Sequence, residues 1–366
     1  MMIGSNNSSV DRGQRGVTLI ELMVAMVIGL FMIGAVLYVV QESRVSYRHN
    51  DEFGRIQEAG RIGVELMAYD ARMAGFAGCL PQPPNNTVIK ALPPPAFGLL
   101  MSDMQAIRGD TYPAGSSASI VNEGALLGVP GSEVVTLFKA DNNPVSLAVP
   151  LANTGSPIQI ANNPDQIQAG NYVMISDCEA ADLFVAATVT TVGTDTVITH
   201  GGPTNTVPTL SKQYGANASV VRFSRDAYYL RNSGRTYADG SPIFSLFKRS
   251  VPASGGPPPP VPAPLELVEG VTGMVVSYGL DTDSAPDRAI ETYATSATLT
   301  GAQWSAVKTA RLELLVAGED NVARQAQPYF YNGVVNTPPV NVMTGQPDRR
   351  LRQSFGATAA FRNLLN

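Results

Sequence analysis

A chain of 366 residues, 44% hydrophobic and only 15% charged, is long enough to bury one large core or two ordinary ones. Its net charge of −5 argues against a general binder of nucleic acid or anionic membrane, which would normally be basic. Its only cysteines and histidines, Cys79, Cys178, His49 and His200, form no ligand cluster and fall short of the about four ligands of a structural zinc site.

Residues 1–16 are polar, with Arg12 and Arg15 near their end. From Val17 to Val40 the chain runs through about 24 residues with one charge, Glu21; as a helix this spans roughly 36 Å, enough for a bilayer core. Basic residues before the run and none directly after it predict the leader on the cytoplasmic side and the body outside. The run is longer than a secretory signal core, and no small-x-small site follows it at Gln41-Glu42-Ser43-Arg44. On hydropathy alone, a plain single-pass anchor remains an equal reading.

No proline interrupts Val17–Leu80, so the helix is expected to continue through 41–75 as a stem. Phe53, Ile56, Gly60, Gly63 and Met67, with Leu66 beside them, mark its predicted apolar face. Arg44, Arg48, Asp51, Glu52, Arg55, Glu58, Arg61 and Glu65 are assigned to the other faces. Gly60 and Gly63 suit close packing on a sheet better than a coiled-coil seam. Gly75 reads as a helix stop.

From 76 to 366 the sequence is rich in Gly, Pro and β-branched residues, and predicts a loop-rich β body. Strand-like runs fall at Glu133–Lys139, Asn171–Asp177, Leu183–Thr191, Ser219–Leu230, Ile243–Phe247, Gly273–Tyr278 and Ala310–Ala317. The stretch 254–264 (SGGPPPPVPAP) reads as an extended surface loop. The two cysteines are either buried thiols or, in an oxidising compartment, a disulfide.

Catalytic signatures are missing: no phosphate loop, no HExxH and no GxSxG, so no catalytic residue and no cofactor is assigned. His49 on the stem and His200 in a Gly-Gly-Pro turn read as solvated bystanders. The Asp281–Asp287 run reads as a polar turn rather than a Ca²⁺ loop, lacking the glycine and terminal glutamate of an EF-hand. Tyr228 and Tyr229 with Arg222, Arg225 and Arg231 could stack on single-stranded DNA, but a strand alternating between core and solvent explains them more simply.

The stretch Arg15-Gly16-Val17-Thr18-Leu19-Ile20-Glu21 resembles the class III signal of type IV prepilins and type II secretion pseudopilins. Within that group, Arg61–Cys79, Ser176–Phe184, Leu267–Asp281 and Arg349–Asn363 resemble PilW-type minor pilins. Pseudopilin J of type II secretion is the near alternative. The resemblance implies cleavage between Gly16 and Val17 by a prepilin peptidase and N-methylation of Val17; Val17 departs from the usual Phe. A carboxylate in a membrane segment costs roughly 2.5–3.5 kcal/mol on insertion scales. Glu21, with Thr18, would therefore serve subunit docking, meeting a neighbour's cleaved amine. A Cys79–Cys178 disulfide is likewise implied.

The fold expected is α+β, a pilin-like lollipop with a long N-terminal helix on an antiparallel sheet and an elaborated β-rich body. The implied protein is not an enzyme. It would be a minor pilin anchored in the inner membrane with a periplasmic body, acting in the complex that primes pilus assembly. Its partners would be other minor pilins, the major pilin, the inner-membrane platform and a large tip adhesin. Twitching, adhesion and DNA uptake would lie downstream, with no direct role for nucleic acid. A DNA- or surface-binding tip subunit is the further alternative.

Overall fold

The computed structural model describes residues 17–75, 87–89, 106–112, 129, 131–252, 263–283, 289–340 and 345–361. One helix, α1 (Leu19–Met73), opens the chain. The chain divides into two units, Met1–Asp51 and Glu52–Asn366.

In the first unit α1 begins one residue after Thr18. Its apolar side chains are almost all exposed, Val17, Leu19 and Phe31 among the most open. Its most apolar 18-residue window has a mean hydropathy of 2.6 and none of it is buried, so the helix is long and apolar enough to cross a membrane.

In the second unit the strands, in chain order, begin with β1 (Thr87–Ile89), β2 (Ile107–Thr111), β3 (Glu133–Ala140), β4 (Val145–Ser146) and β5 (Ile158–Ile160). There follow β6 (Tyr172–Ser176), β7 (Ala181–Val185), β8 (Thr188–Val192), β9 (Asp195–Thr199), β10 (Ser219–Thr236), β11 (Pro242–Pro252) and β12 (Leu265–Glu269). The last are β13 (Val271–Leu280), β14 (Thr292–Ala294), β15 (Val307–Ala317), β16 (Tyr329–Tyr331), β17 (Val334–Asn336) and β18 (Arg352–Ala360).

The main sheet is ordered β1-β7-β6-β10-β11-β12, with β2, β3 and β4 joined along β3 and β10. A second sheet runs β14-β13-β15-β18, a small one β5-β9-β8, and β16-β17 form a hairpin. The pairing is antiparallel, as expected, except that β1 runs parallel to β7. The α+β class is therefore the observed one: a long N-terminal helix and a β-rich body.

The core explains the strand patterns. Ile56, Val64, Met67, Ala68 and Ala71 of α1 pack with Tyr228 and Leu230 of β10, Leu246 of β11 and Leu312 and Leu314 of β15. The far face of β10 is covered as well, because Ala227 and Tyr229 cluster with Tyr112, Val134 and Phe247. A separate core, with Ile158, Ile198, Phe184 and Tyr214 at its centre, holds the lobe from Val145 to Val220 together.

Several expectations are corrected. Phe53 and Leu66 are each 41% exposed, while Glu52, Val64 and Asp70 join Ile56, Gly60, Gly63 and Met67 on the buried face. The buried face lies along the small residues, which let the sheet approach: a Cβ on Gly63 would lie 2.9 Å from Leu314, and one on Gly60 would collide with the Phe355 ring. Leu183–Thr191 is two strands, broken at Ala186-Ala187, because β7 is buried on both faces and β8 belongs to the small sheet. The helix ends as expected at Gly75, whose φ of 73° permits its N–H to reach Phe138 O at 2.8 Å. The loop 254–264 lies outside the described residues as far as 262.

A buried set of charges joins α1 to the main sheet. Asp70 of α1 accepts a hydrogen bond from Lys139 of β3 at 3.1 Å and also meets Lys248 of β11 and the Tyr228 hydroxyl. Asp226 of β10 pairs with the same lysines at 2.9 and 3.0 Å. Burial opposes the charge on Asp70, yet the bonds from Lys248 and Tyr228 and the two ammonium charges hold its pKa below the usual carboxylate value. Burial likewise opposes the charge on Lys139, and Asp226 and Asp70 together hold its pKa above the ordinary lysine value.

Asp70→Ala leaves two half-buried ammonium groups on one buried carboxylate, Asp226. It should destabilise the body by about 3–5 kcal/mol, the scale of breaking a buried pair from one side. Thermal unfolding of the full chain in detergent at neutral pH reads this directly. Because the folded pKa of Asp70 is depressed, its contribution is present above the unfolded value of 3.8 and disappears as pH falls below it. The gap between wild type and variant should therefore close in acid.

Candidate functional site

The expected site residues Thr18 and Glu21 lie together at the head of α1. Thr18 Oγ1 accepts the Glu21 backbone N–H at 3.4 Å, and Glu21 Oε2 accepts the Thr18 backbone N–H and hydroxyl, each at 3.3 Å. This is a capping box, with a threonine at the N-cap and a glutamate at the third helical position. It satisfies backbone donors that a helix start leaves open, and it sets a carboxylate at the positive end of the helix dipole. Sequence reasoning used the same two residues for docking and missed their local bonds, although the T-x-x-E spacing announces them. Val17 is exposed beside them, and Gly16 lies outside the described residues.

Cys79 also lies outside the described residues. Cys178 is exposed in the turn between β6 and β7. That turn is held by Asp177, whose Oδ1 accepts the N–H groups of Glu179 and Ala180 at 3.1 and 2.9 Å. Lys212 pairs with Asp177 and Glu179 at 2.9 and 2.7 Å across the same turn.

Other candidates change character. His200 is buried rather than solvated: its ring nitrogens face Pro208 O at 2.9 Å and Ser156 O at 3.0 Å, and Phe184 packs edge-on against it. Tyr228 and Tyr229 are both buried, on opposite faces of β10, so neither offers a ring to a base. Both faces of the strand are covered, where one had been expected to meet solvent. Of the Asp281–Asp287 run, 284–287 lie outside the described residues; Asp281 is buried.

One titratable group sits between the two large sheets. Glu133 of β3 accepts a hydrogen bond from the Tyr278 hydroxyl of β13 at 2.9 Å and from Ser296 at 2.8 Å. Tyr278 in turn meets Trp304 edge to face, with centroids 4.7 Å apart. Burial pushes the Glu133 carboxyl up to about 7; the Ser296 and Tyr278 bonds oppose the rise and Asp110 adds to it.

Two family models match. Residues 227–363, from the middle of β10 through β18, match Type IV Pilus-assembly protein W. Residues 11–37, across the capping box and the apolar half of α1, match the prokaryotic N-terminal methylation motif. No significant match to a curated protein or to a solved structure is found. The methylation-motif match overlaps an exposed apolar helix, and together they fit a single-pass membrane anchor. With the body match, the findings support a type IV minor pilin of the PilW type. Both families are structural pilus components.

The position of Glu133 makes a pH dependence checkable. Its folded pKa of about 7 lies above the unfolded 4.5, so the folded state holds the proton more tightly and stability falls as pH rises through that window. Glu133→Gln cannot ionise and should match wild type near pH 4.5 but unfold at a higher temperature than wild type at pH 8. Paired thermal melts at the two pH values measure the difference.

Proposed function

We propose that this chain is a minor pilin of the complex that primes type IV pilus assembly. The observation that carries the reading is the junction of two features in one chain. A T-x-x-E capping box heads an apolar, unburied helix within the methylation-motif match, and residues 227–363 of the body that follows match the pilus-assembly family.

On this reading the peptidase cuts between Gly16 and Val17 and methylates Val17, leaving Glu21 four residues from a cationic terminus. That terminus on one subunit and Glu21 on the next form a charge pair in an apolar surrounding, where a lone carboxylate is costly. The mature domains are then 17–40 as anchor and fibre core, 41–75 as stem and 76–366 as body. Folding in the periplasm allows a Cys79–Cys178 bridge, and closing a loop near 100 residues stabilises by up to about 4.7 kcal/mol in the chain-entropy model. Other minor pilins, the major pilin, the inner-membrane platform and a large tip adhesin are the partners this role requires. Twitching, adhesion and DNA uptake follow through the fibre.

The test uses Glu21→Ala and Glu21→Gln in a deletion strain. Glutamine keeps a capping-box partner but loses the charge, whereas alanine loses both. Both variants should be cut at Gly16 and reach the membrane, yet be missing from sheared fibres. Normal incorporation of Glu21→Gln would show that the charge is not used for docking.

A further inference from the structure

Among the described residues, the outer edge of β18 is open where β12 and β2 carry charges along theirs. The β15–β18 register runs from Thr309↔Ala360 to Ala317↔Arg352 without a shift, and among the described residues no strand pairs on the far side of β18. Alternate residues of an antiparallel strand turn their N–H and C=O groups away from the partner, so about four residues of β18 present them outward. From Gln353 to Ala360 the strand has no charge, no proline and no bulge, the features that blunt natural edges. By contrast, β12 at the end of the main sheet carries Glu266 and Glu269, both paired with Arg235, and β2 carries Arg108 and Asp110.

Alongside this edge runs a groove of about 690 Å³ between β18 and the second-unit part of α1. Val64, Phe355 and Ala357 give it an apolar lining, and Glu58, Arg61 and Glu65 give it charged groups. Gln353, which also lines it, carries a buried Oε1 with no hydrogen-bond partner. Gly356 and Thr358 are exposed. A helix satisfies its own backbone and would leave the β18 row unpaired; an extended strand pairs with it.

We propose that β18 is a docking seam for an extended, uncharged strand donated by another subunit of the fibre, with alternate apolar side chains entering the groove. The seam extends the sheet to β14-β13-β15-β18-donor. It rests on the minor-pilin reading, and names a contact made by the body rather than by the apolar helix.

The experiment compares Ala357→Pro and Thr358→Pro in the full chain. Successive N–H groups point to opposite sides of a strand, so one substitution breaks a bond to β15 and the other removes only an outward donor. The outward variant should keep the wild-type unfolding temperature in detergent and its membrane level, while its recovery in sheared fibres falls roughly tenfold or more. Thr190→Pro on β8, the edge strand of the small sheet, is the control and should be recovered normally. A photo-crosslinker at Thr358, read by mass spectrometry, should join β18 to an uncharged strand-forming segment of a different subunit.

Normal fibre recovery of a folded outward variant overturns the seam, as does cross-linking to a helical segment or to β18 of a second copy. If wild type itself is missing from fibres, the pilin reading fails and the seam falls with it. That outcome is distinct from loss in the proline variant alone.

Discussion

The body's architecture depends on the buried charges between α1 and the main sheet. The apolar contact of the helix is thin: Ile56, Val64 and Met67 are its only large members, and Gly60, Gly63, Ala68 and Ala71 complete the stripe. Small residues permit close approach but bury little area, so area alone sets the helix register weakly. Asp70 supplies what area does not. It meets lysines from β3 and β11 while Asp226 of β10 closes the set, so four charges from four elements neutralise one another. Sliding the helix by one turn would strand them unpaired in the interior, a larger penalty than the apolar contacts could offset. Glu52 acts at the other end of the buried stretch, where its Oε2 accepts the Glu319 N–H at 2.8 Å, and Arg55 pairs with Glu319 at 3.1 Å. Residues 52 and 70 are about five turns apart and so share a face.

This joint divides the body into a supporting part and an added one. The match to the pilus-assembly family begins within β10 and covers the sheet bearing β18, the partner strands β11 and β12, and the seam itself. The lobe built on Ile158, Ile198, Phe184 and Tyr214 lies before it and has its own core. His200 belongs to that lobe's interior: it closes the loop from Gly201 to Pro208 against Ser156, while Asn205 bridges Val185 with bonds of 2.8 Å in each direction. His200 and Asn205 thus tie this loop of glycine, proline and threonine to the fold through buried hydrogen bonds, without strands of its own.

What was legible in the sequence followed periodicity and local rules. The long helix, its stop at Gly75 and the central strands were readable because each carries its own signal: absence of proline, a glycine able to take positive φ, and β-branched runs. The buried face of the stem was misjudged because hydrophobicity was read as burial. Phe53 is large and exposed, whereas Asp70 is charged and buried, and only the distant Lys139 and Lys248 make the second arrangement favourable. Nothing local to Asp70 announces those partners except its place seven residues after Gly63, in line with the small-residue stripe. Strand β18 escaped notice for a related reason. Apart from Phe355 and Thr358 its residues, Arg, Gln, Ser, Gly and Ala, have weak strand preference, and its pairing with β15 supplies the conformation.

The head of the helix is the reverse case, in which a motif known by resemblance has a local cause. Threonine and glutamate three residues apart form the capping box that starts α1 at Leu19, and the bonds at 3.3 and 3.4 Å involve no other chain. A carboxylate placed there is favoured by the helix dipole and by the Thr18 donors, which offsets part of its cost in an apolar segment. The same carboxylate has further acceptor capacity after accepting those bonds, since an ionised carboxyl offers about four lone-pair sites. Capping and docking are therefore compatible uses of one side chain. On the docking reading proposed above, the cap would orient Glu21 in advance, and a neighbour's ammonium group would add to the bonds already made rather than replace them. Preorganisation of this kind lowers the ordering cost of association, which matters most where the surrounding contacts are apolar and unspecific.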